Sequence, residues 1–135
     1  MGRGIAYGKD AMTLIAAEPQ LFVTDMQAAL DHYTDGLGFR IAFAWGEPVS
    51  YAQVVREGAQ LNLRHADGPV FSEAFRKAEG DVLSATLTTN DVEGLYREFA
   101  EAGIAFHQAL RTEPWGARTF IVADPSGNLI LFAGS

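Results

Sequence analysis

The chain has no cysteine, which excludes disulfides, thiolate metal sites and a cysteine nucleophile. A reducing cytoplasm is compatible with that lack, and a cytoplasmic location is expected. Basic residues are scarce: 10 lysines and arginines stand against 17 aspartates and glutamates, a formal net charge of −7. Phosphate binding needs clustered positive charge, so no nucleic-acid partner is expected. A cationic ligand suits such a field better. Long apolar runs are missing as well. The longest near the start, Ala11 to Ala17, carries Thr13 and is far too short to span a bilayer, so no membrane partner is expected. That run also makes a poor signal peptide, and Ala6 breaks the myristoylation pattern after Gly2. Met12 offers an alternative natural start. There is no Gly-x-Ser-x-Gly elbow and no phosphate-binding loop.

What is present is a compact-domain composition: 135 residues, 48% hydrophobic and 20% charged, enough for one core. The chain repeats its own grammar. A short strand in 21–25 leads to Asp25 and a helix from Met26 to Gly36, with Met26, Ala29, Leu30, Tyr33 and Leu37 on one face. Later, Ser84 to Thr88 leads to Asp91 and a helix from Val92 to about Ala102, with Val92, Leu95, Tyr96 and Phe99 on one face. Both obey the spacing of a helix that buries one stripe, and each aspartate stands where a side chain accepts orphan N–H groups. Gly38 and Gly103 end the helices.

Three strand-like runs follow each stop: 39–45, 50–56 and 59–64, then 105–110, 117–123 and 129–132, separated by turn residues. The fold class is therefore α+β, two βαβββ modules forming a curved mixed sheet around a cleft. The expected divisions are an N-terminal extension over 1–17, a first module over 18–66, a linker with a short helix (71–78) over 67–82, and a second module over 83–135.

Paired modules with Asp25, Tyr33 and Leu37-Gly38-Phe39 in the first, and Asp124-Pro125-Ser126-Gly127-Asn128 in the second, resemble the vicinal oxygen chelate superfamily, which includes glyoxalase I, extradiol dioxygenases and bleomycin-resistance proteins. Pro114-Trp115-Gly116, followed by Arg118, Phe120 and the Asp-Pro-x-Gly-Asn turn, looks most like the bleomycin-resistance branch. The resemblance covers about residues 18 to 133. It implies a homodimer whose grooves, shared between subunits, hold a drug unaltered.

The superfamily's enzymes hold a divalent metal through His and Glu on strands of both halves, and a catalytic metal needs about three protein ligands and an open position. At the corresponding positions stand Glu18, Gln60 or Asn62, Ser84 or Ala85, and Leu131, at most one good ligand. His32, on the polar side of the first helix, His65 in a loop and His107 on a strand have no helical metal spacing. No metal, no cofactor and no catalytic residue are therefore expected. Glu113, Arg118 and His107 are the one set able to move protons, and the plainer reading of Arg118 is a strand charge paired with Glu113.

Holding a planar ligand asks only for aromatic faces, a few polar anchors and a concave wall. The candidates are Phe43, Trp45, Tyr51, Trp115 and Phe120 for surface, and Asn62, Arg64, Glu113 and Arg118 for hydrogen bonds or charge. Core packing is the plainer reading for Phe43 and Phe120, and less so for Trp115 in its Pro-Gly turn. The Asp124–Asn128 run reads as a hairpin connector. The expected function is a metal-free binding protein that sequesters a cationic or aromatic compound at a dimer groove. The alternative is a superfamily lyase, isomerase or dioxygenase with non-standard metal ligands or metal-independent chemistry.

Overall fold

The computed structural model describes residues 13–135; the expectations for Met12, Gly2 and Ala6 lie outside them. Two four-stranded sheets, each with a helix, make an α+β fold. The first module runs β1 (Gln20–Val23), α1 (Met26–Asp31), β2 (Arg40–Trp45), β3 (Tyr51–Arg56) and β4 (Ala59–His65). A linking helix, α2 (Glu73–Glu79), precedes the second module: β5 (Leu83–Thr89), α3 (Val92–Glu101), β6 (Phe106–Thr112), β7 (Arg118–Ala123) and β8 (Leu129–Gly134). The sheet orders are β1-β4-β3-β2 and β5-β8-β7-β6, with the first and last strands of each module parallel. The two sheets thus repeat one topology, and no closed barrel forms. No described helix is long and apolar enough to cross a membrane.

Local sequence explains the helix starts. The Asp25 carboxylate accepts from Ala28 N at 3.0 Å and that of Asp91 from Gly94 N at 3.0 Å, each satisfying an N–H with no intrahelical partner. The α1 stripe is buried from Met26 to Leu37. Its last turn, His32–Gly36, widens into a π-helical turn, a feature the 3.6-residue pattern does not reveal. α2 begins at Glu73 rather than at Phe71, because Ser72 is its cap and accepts from Phe75 N.

One core unites the modules. Leu21, Val23, Leu61 and Leu63 of the first sheet pack with α1, and Phe99, Phe120, Val122, Ile130 and Phe132 form its other part. Phe120 and Phe132 stack with centroids 4.9 Å apart, while Phe99 meets both edge-on. Burying each such ring contributes roughly 1.5–3 kcal/mol.

A polar clasp crosses between the modules. The Tyr33 hydroxyl donates to Asp124 Oδ2 at 2.9 Å, with both groups buried. Asp124 Oδ1 accepts from the N–H groups of Ser126 and Asn128. The Asn128 amide donates to Asp124 and to the Phe22 carbonyl on β1. Thr24 N donates to the Ser126 hydroxyl, and Arg76 of α2 to the Gly127 carbonyl. The Asp124–Asn128 turn is therefore more than a hairpin connector, since its side chains satisfy groups of Tyr33, Phe22 and Thr24 and its Gly127 carbonyl accepts from α2.

Candidate ligand-binding site

Strand register decides which side chains share a face, because neighbours across a ladder point the same way. Leu61 and Val54 are partners across β4 and β3, and both enter the core. The alternate positions therefore turn to the other side. There, Phe22, Arg64, Tyr51 and Trp45 lie in one row across β1, β4, β3 and β2, and Gln20, Asn62, Gln53 and Phe43 lie in the next. A bulge between Ile41 and Phe43 brings Phe43 onto this face. Five of the nine residues expected at the site, Phe43, Trp45, Tyr51, Asn62 and Arg64, thus converge on one surface.

Trp45 is 70% exposed and Phe43 44% exposed, which corrects the core-packing reading of Phe43. β2 is an edge strand whose residues are all exposed among the described residues, so its rings remain at the surface. The Phe43 and Tyr51 rings approach to 5.8 Å, and the Arg64 guanidinium lies 5.7 Å from the Phe22 ring centroid. The polar row is already ordered. Glu18 Oε1 accepts from the Gln53 and Asn62 amides at 3.0 and 3.1 Å, and Gln53 also donates to Asn62 Oδ1. Tyr51 donates to Gln20 Oε1 at 3.2 Å. Aromatic surface beside fixed amides can hold a planar ring and read its polar edge. Phe22, Gln20 and Gln53 belong to the face although the sequence reading did not select them; strict alternation back from the buried Leu21 and Val54 is the signal that finds them.

The second-module candidates sit elsewhere. Trp115 is 76% exposed in the β6–β7 turn. Glu113 is 9% exposed, and its Oε2 accepts from the Thr119 hydroxyl at 2.7 Å and from Arg111 Nε at 3.0 Å. These two donors, the Thr119 hydrogen bond first, hold its carboxyl below the usual carboxylate range. Hydrogen bonding, ahead of burial, sets its ionisation. Arg118 pairs with Glu93 of α3, not with Glu113, because Arg111 already occupies that carboxylate. Phe120 is 0% exposed and lies in the core, the plainer of its two expected places. No hydrogen bond among the described residues joins Glu113, Trp115 or Arg118 to the first-sheet face.

The possible proton-moving set is likewise dispersed. His107 Nε2 lies 2.8 Å from Asp81 Oδ1, away from Glu113 and Arg118, whose partners are Arg111 with Thr119 and Glu93. His32 departs from its expected polar position: its Nε2 is buried with no partner, and burial lowers its pKa against the opposing pull of Asp124.

A metal of the kind the superfamily's enzymes use does not fit these side chains. Leu131 has Thr86 as its neighbour across β5, while Ala85 is buried opposite Ile130 and Ser84 donates to Asn128. Gln60 and Asn62 offer neutral amides, and Glu18 is engaged by the amides of Asn62 and Gln53. Among the described residues no three His, Cys, Asp or Glu side chains gather, whereas zinc sites take three or four such ligands.

A cavity of about 760 Å³ opens where the modules meet, lined by Phe39, Leu95, Phe99 and Phe132 together with Gln60, Thr86 and Thr88. None of the nine expected residues lines it.

The sequence profile of the Glyoxalase/Bleomycin resistance protein/Dioxygenase superfamily matches residues 14–132. No curated protein sequence matches the chain. Among solved structures, the chain is similar to a bleomycin-binding protein of Streptomyces verticillus complexed with copper(II)-bleomycin, at 22% identity and TM-score 0.70 over 92% of this chain and 98% of that one. It is also similar to a bleomycin resistance determinant encoded on transposon Tn5, at 21% identity and TM-score 0.72 over 90% and 98%. A glyoxalase/bleomycin resistance protein/dioxygenase of Alicyclobacillus acidocaldarius gives 22% identity and TM-score 0.73 over 89% and 90%.

Proposed function

The chain belongs to the Glyoxalase/Bleomycin resistance protein/Dioxygenase superfamily, and from that premise we propose that it is a binding protein which holds a small aromatic molecule, unaltered and without a metal, on the first-sheet face. The observation that carries this reading is the pair of cross-strand rows, Phe22-Arg64-Tyr51-Trp45 and Gln20-Asn62-Gln53-Phe43. They place rings and hydrogen-bonding groups side by side on a surface with no grouped acid, base and nucleophile. Fold likeness to bleomycin-binding proteins supports the class, though fold alone does not fix a ligand.

In this reading the protein works in the cytoplasm as a homodimer. The uncovered β2, whose six residues are all exposed, supports a groove completed by a second copy, with Trp115 of either subunit available to close over the ligand.

Calorimetric titration in the presence of chelator tests the proposal, using bleomycin and a panel of planar aromatic compounds on the wild type, Trp45→Ala and Trp115→Ala. Saturable binding of at least one compound, weakened about tenfold or more by Trp45→Ala, as expected for loss of a stacking hot spot, is the predicted result, with the compound recovered unchanged. Absence of saturable heat with every compound, or chemical conversion of the ligand, overturns the proposal.

A further inference from the structure

The local charge of the first-sheet face is opposite to that of the chain. The protein carries −7 overall, which by itself favours a cationic ligand. On this face, however, Arg40 continues the alternation as the partner of Val55, which is itself opposite Gln60, so two guanidinium groups, those of Arg40 and Arg64, stand on the ligand side. Neither forms an ion pair among the described residues, whereas Arg56, Arg111 and Arg118 have carboxylate partners in Glu98, Glu113 and Glu93. The carboxylate reaching this face, Glu18, is engaged by the neutral Gln53 and Asn62 amides, which do not offset its formal charge, and one carboxylate against two guanidinium groups leaves the face positive.

We infer that the ligand of this face is a planar aromatic anion whose ring lies over Tyr51 and Trp45 and whose anionic group meets Arg64. The inference rests on the binding function proposed above and specifies the chemistry of the molecule bound. Adjacent strands lie about 4.8 Å apart, so Arg64 is one strand from Tyr51 and two from Trp45. A carboxylate attached to a fused bicyclic ring spans that interval, with its ring on the aromatic residues and its oxygens toward the guanidinium. Arginine presents two parallel N–H donors that match a carboxylate, and the Phe22 ring beside it fills the flank away from the ligand ring. A cationic ligand in the same pose would place like charges together.

The chain contains two tryptophans, so two indole N–H signals report binding in a nitrogen-edited NMR spectrum, and Trp115→Phe assigns them. Three probes share one ring system: 2-naphthoate, 2-naphthamide and 2-naphthylmethylammonium. The acid is expected to shift the Trp45 signal and to bind tighter than the amide by about tenfold or more, the lower end of the gain from a hydrogen bond to a charged group. The ammonium is expected to bind most weakly. Arg64→Gln should abolish the preference for the acid over the amide, and added salt should narrow that preference in the wild type. Equal or tighter binding of the ammonium, or retention of the acid preference in Arg64→Gln, overturns the charge assignment while leaving the aromatic-binding function standing. Failure of all three probes to move the Trp45 signal overturns both.

Discussion

Tyr33 and Asp124 join residues 91 positions apart through one buried hydrogen bond, and that contact is the clearest single link between the two modules. Burial first, and then the Asp124 charge and hydrogen bond, raise the Tyr33 pKa well above its ordinary value, so the hydroxyl keeps its proton and donates. Tyr33→Phe leaves a buried acceptor short of one donor, and chemical denaturation should show a loss of about 1–3 kcal/mol. A loss below a few tenths of a kcal/mol would mean that Asp124 is satisfied by Ser126 and Asn128 alone. His32 sits beside the Tyr33 ring, with centroids 5.0 Å apart. Burial disfavours its charged form and lowers its pKa below 6.5, with Asp124 opposing. As pH falls through 6.5 the unfolded chain therefore takes up the proton first, and stability declines until the pH passes the folded-state pKa; above 6.5 there is no such slope. Glu98 and Glu113, both held below 4.5 by their partners, lose their contributions at more acid pH. The free energy of unfolding should thus decrease from pH 7.5 to pH 5 for the wild type and decrease less for His32→Gln.

At the scale of elements, the caps and stripes do what their spacing dictates. Asp91→Ala should cost about 1 kcal/mol by removing the α3 cap, measurable as a lower denaturation midpoint with unchanged cooperativity. The legibility of the fold has the same origin: Asp25, Asp91, the apolar stripes and the alternating strands are local signals, and they place both βαβββ units to within a few residues. The π-helical turn at His32–Gly36 is not local, because it brings Tyr33 to a partner in the other module. The candidate site divides along the same line. Alternation places Phe43, Trp45, Tyr51, Asn62 and Arg64 on one face once the pairing of β1 to β4 is known, yet the sequence contains no sign of which strands pair. Arg118 illustrates the limit: Glu113 is close in sequence, but Arg111 reaches it first and Glu93 of α3 takes Arg118. Phe120 and Trp115 differ for a simpler reason, since a strand ring facing a helix is buried whereas a ring in a Pro-Gly turn has no core to enter.

At the scale of the whole molecule, two sheets of one topology share a core and a polar clasp, but among the described residues nothing covers the first sheet's outer face or the β2 edge. An exposed edge strand with apolar side chains invites pairing with another chain. Sedimentation should therefore reveal a dimer, and a charge on that strand, as in Ile41→Lys, should shift the population toward monomer; a wild type that stays monomeric at high concentration would remove the shared groove from the account. The location of the ligand is the central claim, and a crystal structure with the tightest-binding aromatic compound of the calorimetric series addresses it most directly. The account predicts the ligand ring against Tyr51 and Trp45 with its polar group toward Arg64 or the Asn62 and Gln53 amides. Density instead in the cavity between the modules, against Phe39, Leu95, Phe99 and Phe132, would contradict it.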